Sequence, residues 1–159
     1  MKSRFSRNRH PANMPKRARR LRSNEESALL SEFDGRYMGR RALVVEADAG
    51  TRELCGRLLE GLGFVVDAVD SGVAAVALAR RRPPHLVLLD LGLRDVSGQE
   101  AASWLRSNPL LNSTPVIAIS ALARGAKDLT QKGFDAAIGK PVSPEEFARV
   151  VRGLLALND

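Results

Sequence analysis

The chain predicts an α/β domain built on a doubly wound, five-stranded parallel sheet with strand order 2-1-3-4-5, and three observations lead there. From Ala42 onward, aliphatic runs and amphipathic stretches alternate about every ten to fifteen residues, as βαβ units do. The run His85-Leu86-Val87-Leu88-Leu89-Asp90 holds four large aliphatics without alternation, which suits a strand covered by helices on both faces. Strict alternation implies right-handed crossovers, and the common solution for such a chain puts its switch point between the first and third strands.

The elements follow in order. Ala42-Leu43-Val44-Val45 is the first strand and ends in Glu46-Ala47-Asp48; Thr51 to Gly61 is helical, with Leu54, Leu58 and Leu59 on one face and Gly61 and Gly63 closing it. Phe64 to Val69 is the second strand, and Asp70-Ser71-Gly72 supplies cap candidates for a helix from Val73 to Arg81 that Pro83-Pro84 stops. After the third strand, Ser97-Gly98-Gln99-Glu100 has capping-box spacing and opens a helix to about Arg106, with Trp104 and Leu105 expected to pack. Val116-Ile117-Ala118-Ile119 is the fourth strand and finishes on Ser120. A short helix from about Ala126 to Gln131 precedes a brief fifth strand, Ala136-Ala137-Ile138, and Gly139-Lys140-Pro141. Ser143-Pro144-Glu145-Glu146 then starts a last helix that buries Phe147, Val150, Val151, Leu154 and Leu155.

Composition bounds the function. At 159 residues the chain allows one ordinary domain, and with 44% hydrophobic but only 4% aromatic residues its core must be Leu, Val, Ala and Ile. The net charge of +7 is confined to the start: residues 1–40 hold 11 Lys and Arg against 4 Asp and Glu, whereas residues 41–159 balance at 14 each. Residues 1–38 therefore read as a basic, disordered tail, ahead of a domain at 39–157. Within it, residues 1–22 could attract nucleic acid, anionic lipid or an acidic partner, or could be merely solvated; Ser23 to Phe33 could form a short helix, and Met38 is an alternative starting residue. One cysteine, Cys55, excludes an internal disulfide and is expected to be a small buried or half-buried helix residue, and no stretch suits a membrane span or a secretion signal. The expectation is a cytoplasmic protein with no membrane partner.

The strand ends carry the chemistry. Glu46 and Asp48 follow the first strand, Asp90 the third, Ser120 the fourth and Lys140 the fifth. Carboxylates converging in one crevice repel unless a cation balances them, and Mg²⁺, which favours hard oxygen ligands and bridges carboxylate to phosphate, is the natural occupant. Asp90 would attack a phosphoryl group, Lys140 would neutralise its oxygens, and Ser120 would donate a hydrogen bond to it.

With these residues in order, the stretch from about 40 to 157 resembles the receiver domain of bacterial two-component response regulators, with its flavodoxin-like, CheY-like fold. The family pattern is an acidic pair after strand one, Asp after strand three, Thr or Ser after strand four and Lys-Pro after strand five; here these are Glu46-Ala47, Asp90, Ser120 and Lys140-Pro141, with Leu91 to Gly98 similar to the loop after the acceptor. The resemblance implies a signalling protein rather than an enzyme: a stand-alone receiver in a phosphorelay that takes a phosphoryl group on Asp90 from a histidine kinase or phosphotransfer protein and acts on an unidentified downstream protein. It implies Mg²⁺ held by Glu46, Asp48, Asp90 and the backbone of Gly92. Two departures stand out. Ala47 occupies the place of a usual direct ligand, and Ala137 stands where the family's switch position, three residues before the lysine, is typically aromatic. A pseudo-receiver, keeping the fold as a phosphorylation-independent interaction module, is therefore the competing reading, and a nucleic-acid-associated protein working through its tail is a third.

Overall fold

A computed structural model describes residues 37–121 and 132–157. The expected helices over Ser23 to Phe33 and Ala126 to Gln131 lie outside the described residues, as do residues 1–36 of the basic tail. Among the described residues nine elements follow one another: β1 (Arg41–Val45), α1 (Ala49–Gly61), β2 (Val65–Val69), α2 (Gly72–Arg81), β3 (Leu86–Asp90), α3 (Gly98–Ser107), β4 (Val116–Ser120), β5 (Ala136–Gly139) and α4 (Pro144–Leu157). All strands are parallel, in the order β2-β1-β3-β4-β5.

Strand periodicity divides the core into two layers. Ala42, Val44, Leu86, Leu88, Ile117, Ile119 and Ile138 face α1 and α4, where Cys55, Leu58, Leu59, Phe147, Val151 and Leu155 meet them. The intervening residues, Leu43, Val45, Val87, Leu89, Val116 and Ala118, face α2 and α3. There the covering side chains are Leu105 and four alanines, Ala75, Ala79, Ala101 and Ala102. Every residue of β3 is buried, as its unbroken aliphatic run requires. Cys55 is fully buried, and that burial pushes its thiol up to about 12, which suits a packing residue rather than a reactive one.

Helix ends follow the caps the residues offer. Ser71 caps α2, and Ser97 with Glu100 forms the expected reciprocal box on α3. Gly63, at φ +102, makes the turn from α1 into β2, where a Cβ would run into Met38. Two expectations are corrected. Leu105 is buried as expected, but Trp104 is not a packing residue and is 43% exposed: Ala101, Ala102 and Leu105 form the inward stripe of α3, and position 104 falls outside it. Tyr37 is buried although it precedes residue 39; its ring stacks on Phe64 at 5.4 Å, with the Arg40 guanidinium over its face.

Candidate phosphoacceptor site

Pairing of β1 with β3 ends at Val45 and Leu89, so the next residues, Glu46 and Asp90, emerge side by side at the C-terminal edge of the sheet. Both continue the layer that faces α1 and α4, and both are buried, Glu46 at 0% and Asp90 at 3% exposure. Two neighbouring carboxylates in so dry a place need a cation, and Lys140 supplies it from the end of β5. Its Nζ lies 2.7 Å from Glu46 Oε1 and 3.4 Å from Asp90 Oδ1. The fifth strand is held in place by the backbone: the Lys140 N–H donates to the Ser120 carbonyl at 3.1 Å, which brings Ser120 and Lys140 to adjoining strand ends.

Asp90 also accepts two backbone hydrogen bonds. The Gly92 N–H donates to Oδ1 at 2.8 Å and the Ala47 N–H to Oδ2 at 3.3 Å. These donors and Lys140 fix the carboxylate beside Gly92, which is exposed, and Lys140, whose side chain is 26% exposed. The following loop folds back over α3 at Gly98, where a Cβ would come within 2.6 Å of the Asp90 carbonyl oxygen and 2.7 Å of Leu91 Cα. Only glycine lets the loop after the acceptor lie against the helix in this way.

Electrostatics divide the ion pair unevenly. Burial raises the Glu46 carboxyl above its ordinary range; Lys140 opposes this and the nearby Asp90 charge adds to it. Burial draws the Lys140 ammonium down, but its hydrogen bond to Glu46 and the charges of Glu46 and Asp90 outweigh that and leave it raised. Charge is thus disfavoured on one partner of the contact and favoured on the other. Glu46 has no exposed surface, while Lys140 keeps contact with water; the contact therefore favours the ammonium and leaves the carboxylate strained, with Glu46 Oε2 buried and lacking a hydrogen-bond partner.

Asp48 does not join this cluster. Its Oδ2 accepts from both the backbone N–H and the hydroxyl of Thr51, each at 2.8 Å, as N-cap of α1, and those bonds hold its carboxyl below the usual range. Among the described residues no three His, Cys, Asp or Glu side chains are placed together to hold a metal ion. The expected set of Glu46, Asp48 and Asp90 is thus not assembled, for a simple reason: Ala47 has no oxygen, Glu46 is turned inward onto Lys140, and Asp48 is used by the helix. What remains for a cation is the Asp90 carboxylate, which suits an ion that keeps most of its waters.

Sequence reasoning missed two residues beside the site, Asp95 and Arg52, and a third, Arg106, at the opposite end of the sheet. Asp95, in the loop after Asp90, accepts from the N–H groups of Gly72 and Val73 at 3.0 Å each, and so ties that loop to the start of α2. Arg106 of α3 donates to the carbonyls of Asn112, Thr114 and Gly133 and to Asp135, pinning the entries to β4 and β5. Arg52 donates to the carbonyls of Glu46 and Ala47. An arginine or aspartate in a polar stretch carries no local signal of a partner 20 or more residues away; only for Arg52 does one helical turn from Asp48 hint at reach.

A doubly wound parallel sheet whose C-terminal edge joins a buried aspartate, a second acid and a lysine has the α/β architecture and the strand-end residues that the receiver resemblance implies. The family model for the response regulator receiver domain matches residues 42–152, and the chain belongs to that family, which is not one of catalytic enzymes. Among curated relatives, the polar-differentiation response regulator DivK of Brucella ovis is 34% identical over 120 residues, covering 74% of this chain and 98% of its own. DivK of Brucella anthropi is 33% identical over the same coverage. Among solved structures, the receiver domain of a sensor histidine kinase from Pseudomonas aeruginosa, determined with a magnesium ion coordinated in its active site cleft, superposes with a TM-score of 0.66 at 26% identity, covering 74% of this chain and 98% of that one. The chemotaxis response regulator CheY4 of Vibrio cholerae shares the fold, with a TM-score of 0.69 at 18% identity over 74% of this chain and 99% of its own. Among the described residues no helix is long and apolar enough to cross a membrane.

Proposed function

We propose that this chain is a stand-alone receiver of a phosphorelay, that Asp90 is its phosphoacceptor, and that it signals by binding another protein. The observation that carries the reading is the Lys140 ammonium held between Glu46 at 2.7 Å and Asp90 at 3.4 Å, at the sheet edge where the register also delivers Ser120. A phosphoryl group arriving from a histidine kinase or phosphotransfer protein would meet a carboxylate fixed by two N–H donors. Lys140 would neutralise its oxygens, and Ser120 would donate to it. Asp90 and the backbone of Gly92 would hold Mg²⁺, which would supply charge neutralisation at the phosphoryl oxygens. With Ala47 in the acidic pair, the chain's own groups carry a larger share of that stabilisation.

The same substitution favours a second reading, a pseudo-receiver whose interactions do not depend on phosphate. The test is to incubate the full chain with acetyl phosphate, with and without Mg²⁺, and to measure intact mass beside Asp90→Asn. Gain of one phosphoryl group by the parent and none by the variant is the expected result; no gain under any condition leaves the pseudo-receiver.

A further inference from the structure

Arg52 lies one turn into α1, and its guanidinium turns back onto the loop that ends β1. Nη1 donates to the Glu46 carbonyl at 2.9 Å and to the Ala47 carbonyl at 3.4 Å. Each carbonyl belongs to a peptide whose N–H faces the buried acids. The Glu46–Ala47 peptide presents the Ala47 N–H to Asp90 Oδ2, and the Ala47–Asp48 peptide presents the Asp48 N–H to Glu46 Oε1, both at 3.3 Å. Two consecutive amides thus stand with their oxygens on a cation and their hydrogens on anions. That alignment polarises both peptides in the same sense and strengthens the donors beyond what isolated amides would give.

Such donors act unequally on the two states of Asp90. They bind a carboxylate, which is fully charged, about twice as strongly as the neutral carbonyl of an aspartyl phosphate. When the phosphoryl group is hydrolysed, a water oxygen bonds to phosphorus, the bond from phosphorus to the Asp90 oxygen breaks, and its electron pair returns to the carboxylate. The water's proton passes to solvent as inorganic phosphate leaves. Charge develops on the Asp90 carboxylate, which the Ala47 amide faces, so a stronger donor there lowers that barrier, while the Asp48 amide acts on the neighbouring Glu46. Resting on Asp90 as phosphoacceptor, we propose that Arg52 is a positioning residue that sets the lifetime of the phosphoryl group on Asp90 by polarising the two peptides between Glu46 and Asp48.

The side chain touches neither acid directly, so its charge and its reach can be varied without altering them. Arg52→Gln keeps a donor and removes the charge; Arg52→Lys keeps the charge. Loss of phosphoryl group after removal of acetyl phosphate should slow about three- to tenfold in Arg52→Gln and stay within about twofold of the parent in Arg52→Lys. In amide NMR of the unphosphorylated full chain, the Ala47 and Asp48 protons should move upfield in Arg52→Gln, with Thr51 and the rest of α1 in place. Faster decay, unchanged decay, or equal effects in both variants would overturn the proposal, because loss of mere structural support shortens the lifetime or ignores the charge. If the parent takes up no phosphoryl group, the reading of Asp90 fails on its own, and unmoved Ala47 and Asp48 resonances would then dismiss the polarisation as well.

Discussion

Replacing Lys140 by Met removes the ammonium that contacts both Glu46 and Asp90 while keeping most of its aliphatic stem. At an effective dielectric near 20, a contact of 2.7 Å is worth about 6 kcal/mol of attraction, and one of 3.4 Å about 5. Desolvation of Glu46 and its repulsion by Asp90 cancel much of this, and the 26% exposure of the lysine side chain weakens it further. Breaking such a pair nevertheless leaves buried charge uncompensated, and we expect Lys140→Met to cost about 3 kcal/mol at pH 7.5. In the parent, Glu46 is raised above its ordinary 4.5, so its burden on the fold is absent below that value and grows as pH rises through the folded one. Lys140, raised above 10.5, contributes at all lower pH and is lost only as pH rises through its own folded value. Without the ammonium, Glu46 rises further and takes a proton, so the deficit of the variant should shrink to about 1 kcal/mol near pH 5. Urea unfolding at the two pH values, repeated with Lys140→Met in a Glu46→Gln background, measures this. The second substitution should return about 2 kcal/mol at pH 7.5. A deficit independent of pH, or strictly additive effects of the two changes, would refute the view that one buried pair organises the site.

Three further outcomes follow from the same geometry. Ala47→Asp should raise Mg²⁺ affinity about tenfold or more in a calorimetric titration, because it adds an oxygen beside Asp90; unchanged affinity would mean the loop cannot aim a carboxylate there. Gly98→Ala drives a Cβ into the Asp90 carbonyl oxygen and Leu91 Cα, and should cost about 1–3 kcal/mol in urea unfolding and slow phosphoryl uptake together. Asp95 is held below its ordinary 3.8 by the N–H groups of Val73 and Gly72, so its contribution is present above that value and is lost as pH falls through the folded one. Asp95→Ala should therefore flatten the acid limb of the stability profile and speed hydrogen exchange at Gly72 and Val73.

Much of this arrangement is legible in the chain because local rules and the sheet agree. The aliphatic run before Asp90, the Ser97 to Glu100 box and the start of the last helix at Pro144 each carry a local signal, and strand parity then sends Glu46 and Asp90 to the same edge. Asp48 marks where such reading stops. Capping and metal binding ask for the same residue type at the same place, and only the position of Thr51 decides between them. Trp104 fails for a different reason, since an indole is usually a packing residue and here the inward stripe of Ala101, Ala102 and Leu105 leaves position 104 outside it. The inward turn of Glu46 onto Lys140 likewise joins residues 94 positions apart, and no local pattern records it.

The most direct measurement is chemical. Treat the full chain with a small phosphodonor, reduce it with borohydride so that an aspartyl phosphate becomes homoserine, and map the peptides. Homoserine at position 90 and nowhere else is the expected product. A folded protein that yields none there, or yields it at another carboxylate, would contradict the assignment of the Asp90, Glu46 and Lys140 cluster as a phosphoacceptor site.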